Sequence, residues 1–177
     1  MELQMEIPSL SAEARRRPLE GRLALVTGST SGIGLGVAER LAADGARLVL
    51  NGFGDPRDIT RLRDRLAFDH SVPVIHSAAD LSDPSAIVEM MRHVEDALGE
   101  VDILVNNAGI QHVAAIEEFP LEKWDAILAI NLSSAFHAIR LTLPGMKRRG
   151  WGRIVNIASA HGLVASPFKS AYVAAKH

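Results

Sequence analysis

Arg22-Leu23-Ala24-Leu25-Val26-Thr27 is a short apolar run, and Gly28-Ser29-Thr30-Ser31-Gly32-Ile33-Gly34 follows it directly. The run reads as a strand buried on both faces, as strands of a parallel sheet do. A helix predicted over 34–43, small and apolar on one face, starts inside the glycine loop. Strand, glycine loop and helix in that order make a phosphate cradle. The glycines permit a tight turn and close backbone approach, and the N–H groups at the helix start face an anion with the helix dipole behind them. An ordinary strand-to-helix turn also carries glycine, so the loop alone leaves that alternative open.

The alternation continues outward. Strands are predicted over 47–50, 72–76, 101–105 and 153–158. Helices are predicted over 56–68, 84–98 and 121–146, with one more starting at Lys169. Pro56 is allowed in a first turn. Ser82 or Asp83 is the expected cap of the 84–98 helix, and Gly99 its stop. Pro144 and Gly145 are expected to disturb the long helix near its end. Strand–helix units of this length imply an α/β fold, a doubly wound parallel sheet of Rossmann type covered on both faces. Such a sheet has six strands ordered 3-2-1-4-5-6. Five are legible, and the domain over 21–177 is expected to be incomplete at its C-terminus. Residues 1–20, with Arg15-Arg16-Arg17 but no apolar stretch, are expected to form a flexible leader.

Composition narrows the function. A net charge of −2 argues against nucleic acid as partner. The chain has no cysteine, which excludes disulfides and thiolate metal sites and fits a reducing, cytoplasmic setting. Its seven histidines show no H-E-x-x-H or similar spacing, so no metal site is expected. No apolar run approaches the length needed to span a bilayer, so no membrane partner is expected. Trp124 and Trp151 read as packing residues.

The segment Asn51-Gly52-Phe53-Gly54-Asp55 ends the second strand, where a dinucleotide is told from its 2′-phosphorylated form. Neither it nor the glycine loop carries a basic residue, which favours NAD over NADP, although Arg57 lies close. Phe53 faces the adenine or packs in the core. Tyr172 and Lys176 lie four residues apart, on one face of a helix. Free tyrosine is a poor base at neutral pH. An ammonium beside it favours the phenolate, which can take the proton of an alcohol as hydride leaves carbon. Ser159 ends the fifth strand, where ligands bind in open sheets, and its hydroxyl can donate to a carbonyl oxygen. A turn serine and a chance Y-x-x-x-K are the plain alternatives.

Taken together, these features resemble the short-chain dehydrogenase/reductase family. The matching residues are the glycine loop, Asp80-Leu81, Asn106-Asn107-Ala108-Gly109, Asn131, Ser159 and the Tyr172/Lys176 pair, over about Gly21 to His177. The stretches 51–55, 107–113, 161–166 and 169–177 are similar to bacterial members that interconvert 3-hydroxybutyrate and acetoacetate with NAD. The resemblance implies that Ser159 polarises the substrate oxygen and Tyr172 exchanges the proton. Lys176 holds the nicotinamide ribose, and Asn131 anchors a water in a proton relay. It further implies cofactor contacts from Gly28, Thr30, Ser31, Gly32, Ile33, Gly34, Phe53, Asp80, Leu81, Asn107, Ala108 and Gly109, with Tyr172 and Lys176. Gln111, His161 and Lys169, with Ser159 and Tyr172, are implied to hold a small anionic hydroxy or keto acid, since Lys169 brings charge and the others hydrogen bonds.

Relatives of this kind continue past the Tyr/Lys helix into further strands and a mobile segment over the substrate, and assemble as homotetramers through helices beginning near Leu121 and Lys169. Those later strands and the lid are expected to be missing here. The Tyr172 helix is then short, and one sheet edge unpaired. A nucleotide-binding chain without catalysis, and a reductase of another small keto acid or acyl thioester, are the alternative functions.

Overall fold

The computed structural model describes residues 17–177; residues 1–16 of the expected leader lie outside the described residues. Five parallel strands form one sheet: β1 (Leu23–Val26), β2 (Arg47–Asn51), β3 (Val74–Ser77), β4 (Ile103–Asn106) and β5 (Arg153–Asn156). Their order is β3-β2-β1-β4-β5, the expected doubly wound pattern. Leu23 pairs with Arg47 on one side of β1, and Ala24 with Ile103 on the other. The chain therefore reverses direction of winding between β1 and β4, where open sheets of this kind leave a crevice for ligands.

Side chains on a strand alternate between faces, and the two cores follow that alternation. Leu23, Leu25, Val49 and Leu104 pack with Ile87, Met90, Val94, Ala138 and Met146. Those partners come from α3 (Pro84–Leu98) and α5 (Ser134–Arg149). Ala24, Val26, Leu48, Leu50, Ile103 and Val105 pack on the opposite face with Ala38, Ala42 and Leu66. These belong to α1 (Gly32–Ala43) and α2 (Pro56–His70). Gly34, Ala38 and Ala42 recur every four residues and form the buried stripe of α1, which lets that helix lie close to the sheet.

The helix starts have chemical causes. Asp55 accepts from the Arg57 and Asp58 amides ahead of Pro56, and Asp83, not Ser82, accepts from Ser85 N ahead of Pro84. Gly99, at φ 91°, ends α3 as expected.

The long helix departs from expectation. Helix α4 (Leu121–Leu128) runs through a π-helical segment over Ala129–Ser133 into α5 and on to Arg149. The disturbance is at Asn131, while Pro144 sits inside a continuous helix. Pro144 and Arg140 both lie on the exposed face, where water can serve the carbonyl that lacks its usual donor. The continuous helix of 29 residues is long and apolar enough, by length and composition, to cross a membrane. This corrects the reading that no segment reaches that length; α5 instead packs on α3 and β4, and α4 on α6 (Ser170–Lys176).

Among the described residues, strand β5 pairs with β4 alone and is largely exposed, with Val155 at 46%. At the opposite end of the sheet from the crevice, buried Asp102 accepts from the Leu23 amide at 3.0 Å and ion-pairs with Arg22 and Arg149. The Arg22 guanidinium lies 3.8 Å from the centroid of the Trp151 ring, which gives Trp151 its packing role.

Candidate active site

The end of β1 is built as a socket. The Thr27 hydroxyl, 3% exposed, accepts from the Asn107 amide at 3.0 Å and the Ala108 amide at 3.1 Å, and donates to the Val105 carbonyl at 3.3 Å. A hydroxyl has one donor and two acceptor positions, so all are used. Asn107 returns the contact by donating its side-chain amide to the Thr27 and Gly28 carbonyls at 2.9 and 3.0 Å. Asn51, fully buried, accepts from the Gly28 amide and donates to the Ser77 and Ala79 carbonyls. The glycine loop is thus tied to the ends of β2, β3 and β4 by polar side chains in a nearly dry setting.

Glycine is required where this packing is closest. A Cβ on Gly34 would fall on the Gly28 carbonyl and the Asn107 amide, and one on Gly28 would come within 2.9 Å of Ala108 Cα. The Ser31 side chain makes no capping bond at the start of α1, and the first turn of that helix carries no acid. Its first N–H groups therefore remain available to an anion.

A cleft of about 420 Å³ opens over this loop. Gly28, Thr30, Ser31, Ile33, Phe53, Asp80, Leu81, Asn107, Ala108 and Gly109 line it, which gathers most of the residues expected to hold a cofactor. Gly32 lies at the exposed loop tip and Gly34 is buried behind it; neither is part of the wall. Phe53 is 66% exposed at the cleft lip, which removes the core-packing alternative. The Ser82 backbone amide, and then its hydroxyl, hold the Asp80 carboxyl below the usual carboxylate range against a small opposing effect of burial.

Asn131 occupies the π-helical segment and is buried. Its side chain accepts from the Ile110 amide at 2.8 Å and donates to the Ile110 carbonyl at 2.9 Å. One donor and one acceptor position of the side chain thus fix the loop after β4. Lys176 donates to the Ile157 carbonyl at 2.9 Å, which places its ammonium at the end of β5. Asn131, Lys176, Ala108, Ile130 and Asn156 are among the residues around a second recess, of about 200 Å³. Ala108 and Ile130 line both recesses, so the two abut.

The remaining expected residues lie outside both recesses. Ser159 accepts from the His161 amide at 3.2 Å and so caps the short 3-10 turn Ala160–Gly162. The His161 ring stands edge-on to Tyr172, centroids 6.2 Å apart. Lys169 is half-buried as the N-cap residue of α6, and Gln111 is exposed. A hydrogen bond from the Ala114 amide to the Phe168 carbonyl joins the segment after Gln111 to the one before Lys169. Sequence reasoning passed over Thr27 and Asn51 as site-building residues. The available signal was a polar residue closing an otherwise apolar buried strand, which must find partners.

A family model described as short chain dehydrogenase matches residues 22–177. The D-beta-hydroxybutyrate dehydrogenase of Rhizobium meliloti is 61% identical over 156 residues, which are 88% of this chain and 60% of that protein. The protein of the same name from Cupriavidus necator is 61% identical over 159 residues, 90% of this chain and 61% of its own length. The chain thus spans about 60% of the length of these relatives. Among solved structures, a metagenomic short-chain oxidoreductase in complex with NADP matches with TM-score 0.83 and 33% identity, over 89% of this chain and 71% of its own. A Burkholderia cenocepacia gluconate 5-dehydrogenase in complex with NADP and tartrate matches with TM-score 0.81 and 35% identity, over 91% and 62%.

Proposed function

We propose that this chain, which belongs to the short-chain dehydrogenase family, carries the cofactor cradle and catalytic residues of an NAD-dependent oxidoreductase interconverting 3-hydroxybutyrate and acetoacetate. The observation that carries the reading is the pair of abutting recesses, one over the glycine loop and one between Lys176 and Asn131. The 61% identity to the two D-beta-hydroxybutyrate dehydrogenases supports the substrate.

The residues fit a dinucleotide. Free N–H groups at the start of α1, with Gly28, Thr30, Ser31, Gly32, Ile33 and Gly34, would hold the pyrophosphate. Phe53, Asp80 and Leu81 would flank the adenosine, and Asn107, Ala108 and Gly109 the far side. We assign NAD because neither the glycine loop nor 51–55 presents a cation to a 2′-phosphate. Bound NAD supplies a hydride acceptor. Tyr172 takes the proton of the substrate hydroxyl, and Ser159 donates to the same oxygen. Lys176 brings positive charge and a donor toward the ribose. Asn131, in the π-helical segment beside the recess that Lys176 lines, would anchor a water of a proton relay. Such segments are rare and concentrate at functional sites. Gln111, His161 and Lys169 would hold the substrate carboxylate. A cytoplasmic location belongs to the same proposal; the homotetramer is an expectation for full-length members of the family.

The test compares NAD reduction by 3-hydroxybutyrate and by its methyl ester in wild type and Lys169→Ala. Loss of one charge-assisted hydrogen bond, roughly 1.5–3 kcal/mol, raises KM for the acid about tenfold or more and leaves the ester unaffected. Equal use of acid and ester by the wild type would contradict the carboxylate reading and favour a thioester or neutral substrate.

A further inference from the structure

Two non-glycine residues among those described have left-handed backbone, Ser71 and Phe168. Ser71 is the C-cap of α2, a common place for that conformation. Phe168, at φ 62°, caps no helix, and the residue is 60% exposed, so close packing does not hold it there. A bulky residue in this region is a backbone outlier, and such outliers persist where surrounding structure fixes them. The Ala114 amide donates to the Phe168 carbonyl at 3.0 Å.

Position gives the contact its meaning. Phe168 immediately precedes Lys169, the N-cap residue of the helix that carries Tyr172, and Ala114 lies three residues after Gln111. We propose that Phe168 is a positioning residue: its left-handed turn, pinned by Ala114, orients Lys169 and couples it to the Gln111 loop. This rests on the reading of Gln111 and Lys169 as carboxylate ligands. The backbone, not the aromatic ring, does the positioning. Glycine should therefore replace Phe168 well, alanine less well, and the β-branched valine worst, in the order in which these residues tolerate left-handed backbone.

The experiment measures kcat, KM for 3-hydroxybutyrate and NAD affinity for Phe168→Gly, Phe168→Ala, Phe168→Val and Lys169→Ala, with amide exchange at Ala114 as an activity-independent readout. KM should rise about tenfold in Phe168→Val, rise less in Phe168→Ala, and return to within about threefold of wild type in Phe168→Gly. Values of kcat and NAD affinity should stay level, and Ala114 protection should fall and recover in the same order. If Phe168→Val loses NAD binding through misfolding, Phe168→Ala against Phe168→Gly carries the ordering. Equal impairment of the glycine and valine variants would overturn the proposal in favour of a role for the ring. So would an unchanged KM in Phe168→Val while Lys169→Ala raises it. An unchanged KM in Lys169→Ala marks the separate failure of the carboxylate reading and removes the proposal with it.

Discussion

Replacing Thr27 by valine should unfasten the cofactor cradle while leaving its shape nearly intact. The two side chains are close in size, so the change is chiefly the loss of one hydroxyl. That hydroxyl accepts from the Asn107 and Ala108 amides at 3.0 and 3.1 Å. Both donors would be left facing a methyl group. The Val105 carbonyl would not, because it also accepts from the Thr27 backbone amide at 3.0 Å. An orphaned buried donor costs about 1–3 kcal/mol, and Asn107 and Ala108 are half-buried, so about 2–4 kcal/mol is expected for the pair. In a domain of this size that is a fall in Tm of roughly 4–16 °C. Thr27→Ser keeps the hydroxyl and loses one methyl group, for about 1 kcal/mol. Urea unfolding of the three proteins measures both changes, and NAD titration should show weaker binding in Thr27→Val than in Thr27→Ser. A valine variant within about 0.5 kcal/mol of wild type, or a serine variant as unstable as the valine one, would refute the argument.

Further outcomes follow from the same packing. Gly34→Ala forces a methyl group onto the Gly28 carbonyl and the Asn107 amide; it should cost about 1–3 kcal/mol of stability and weaken NAD binding, both read by NAD-dependent thermal shift. Asn131→Ala frees both polar groups of Ile110 and should lower kcat more than it weakens NAD binding, measured by steady-state kinetics beside titration. Asp80 has a folded-state pKa below its ordinary 3.8, so its stabilising contribution is present above that value and lost as pH falls through the folded one. The stability gap between wild type and Asp80→Ala, followed by urea unfolding from neutral to acid pH, should be constant above about pH 5 and close below about pH 4.

Local signals were enough for the sheet. The apolar run at Leu23–Val26 is the central strand because nothing in it needs water, and the small-residue stripe Gly34, Ala38 and Ala42 predicts a helix lying flat on that strand. Non-local polar pairing escaped the reading. The resemblance implies only a water-anchoring role for Asn131, yet its side chain also bonds to Ile110, twenty-one positions away. Asn51 reads only as the start of the segment that ends the second strand, and its partners lie in the glycine loop and after β3. Pro144 carried the strongest breaker signal in the long helix and proved harmless, since its effect depends on which face meets solvent. The departure from regular helix came at Asn131, whose side chain bonds to the loop after β4.

The most direct test of the central claim is NAD reduction driven by D-3-hydroxybutyrate, followed by nicotinamide absorbance in wild type and Tyr172→Phe, with NAD affinity titrated in both. The account predicts turnover by the wild type, a loss of at least about a hundredfold in the phenylalanine variant, as removal of a general base entails, and equal NAD affinity. NAD binding without any hydroxybutyrate-dependent reduction in the wild type, or undiminished turnover in Tyr172→Phe, would contradict it.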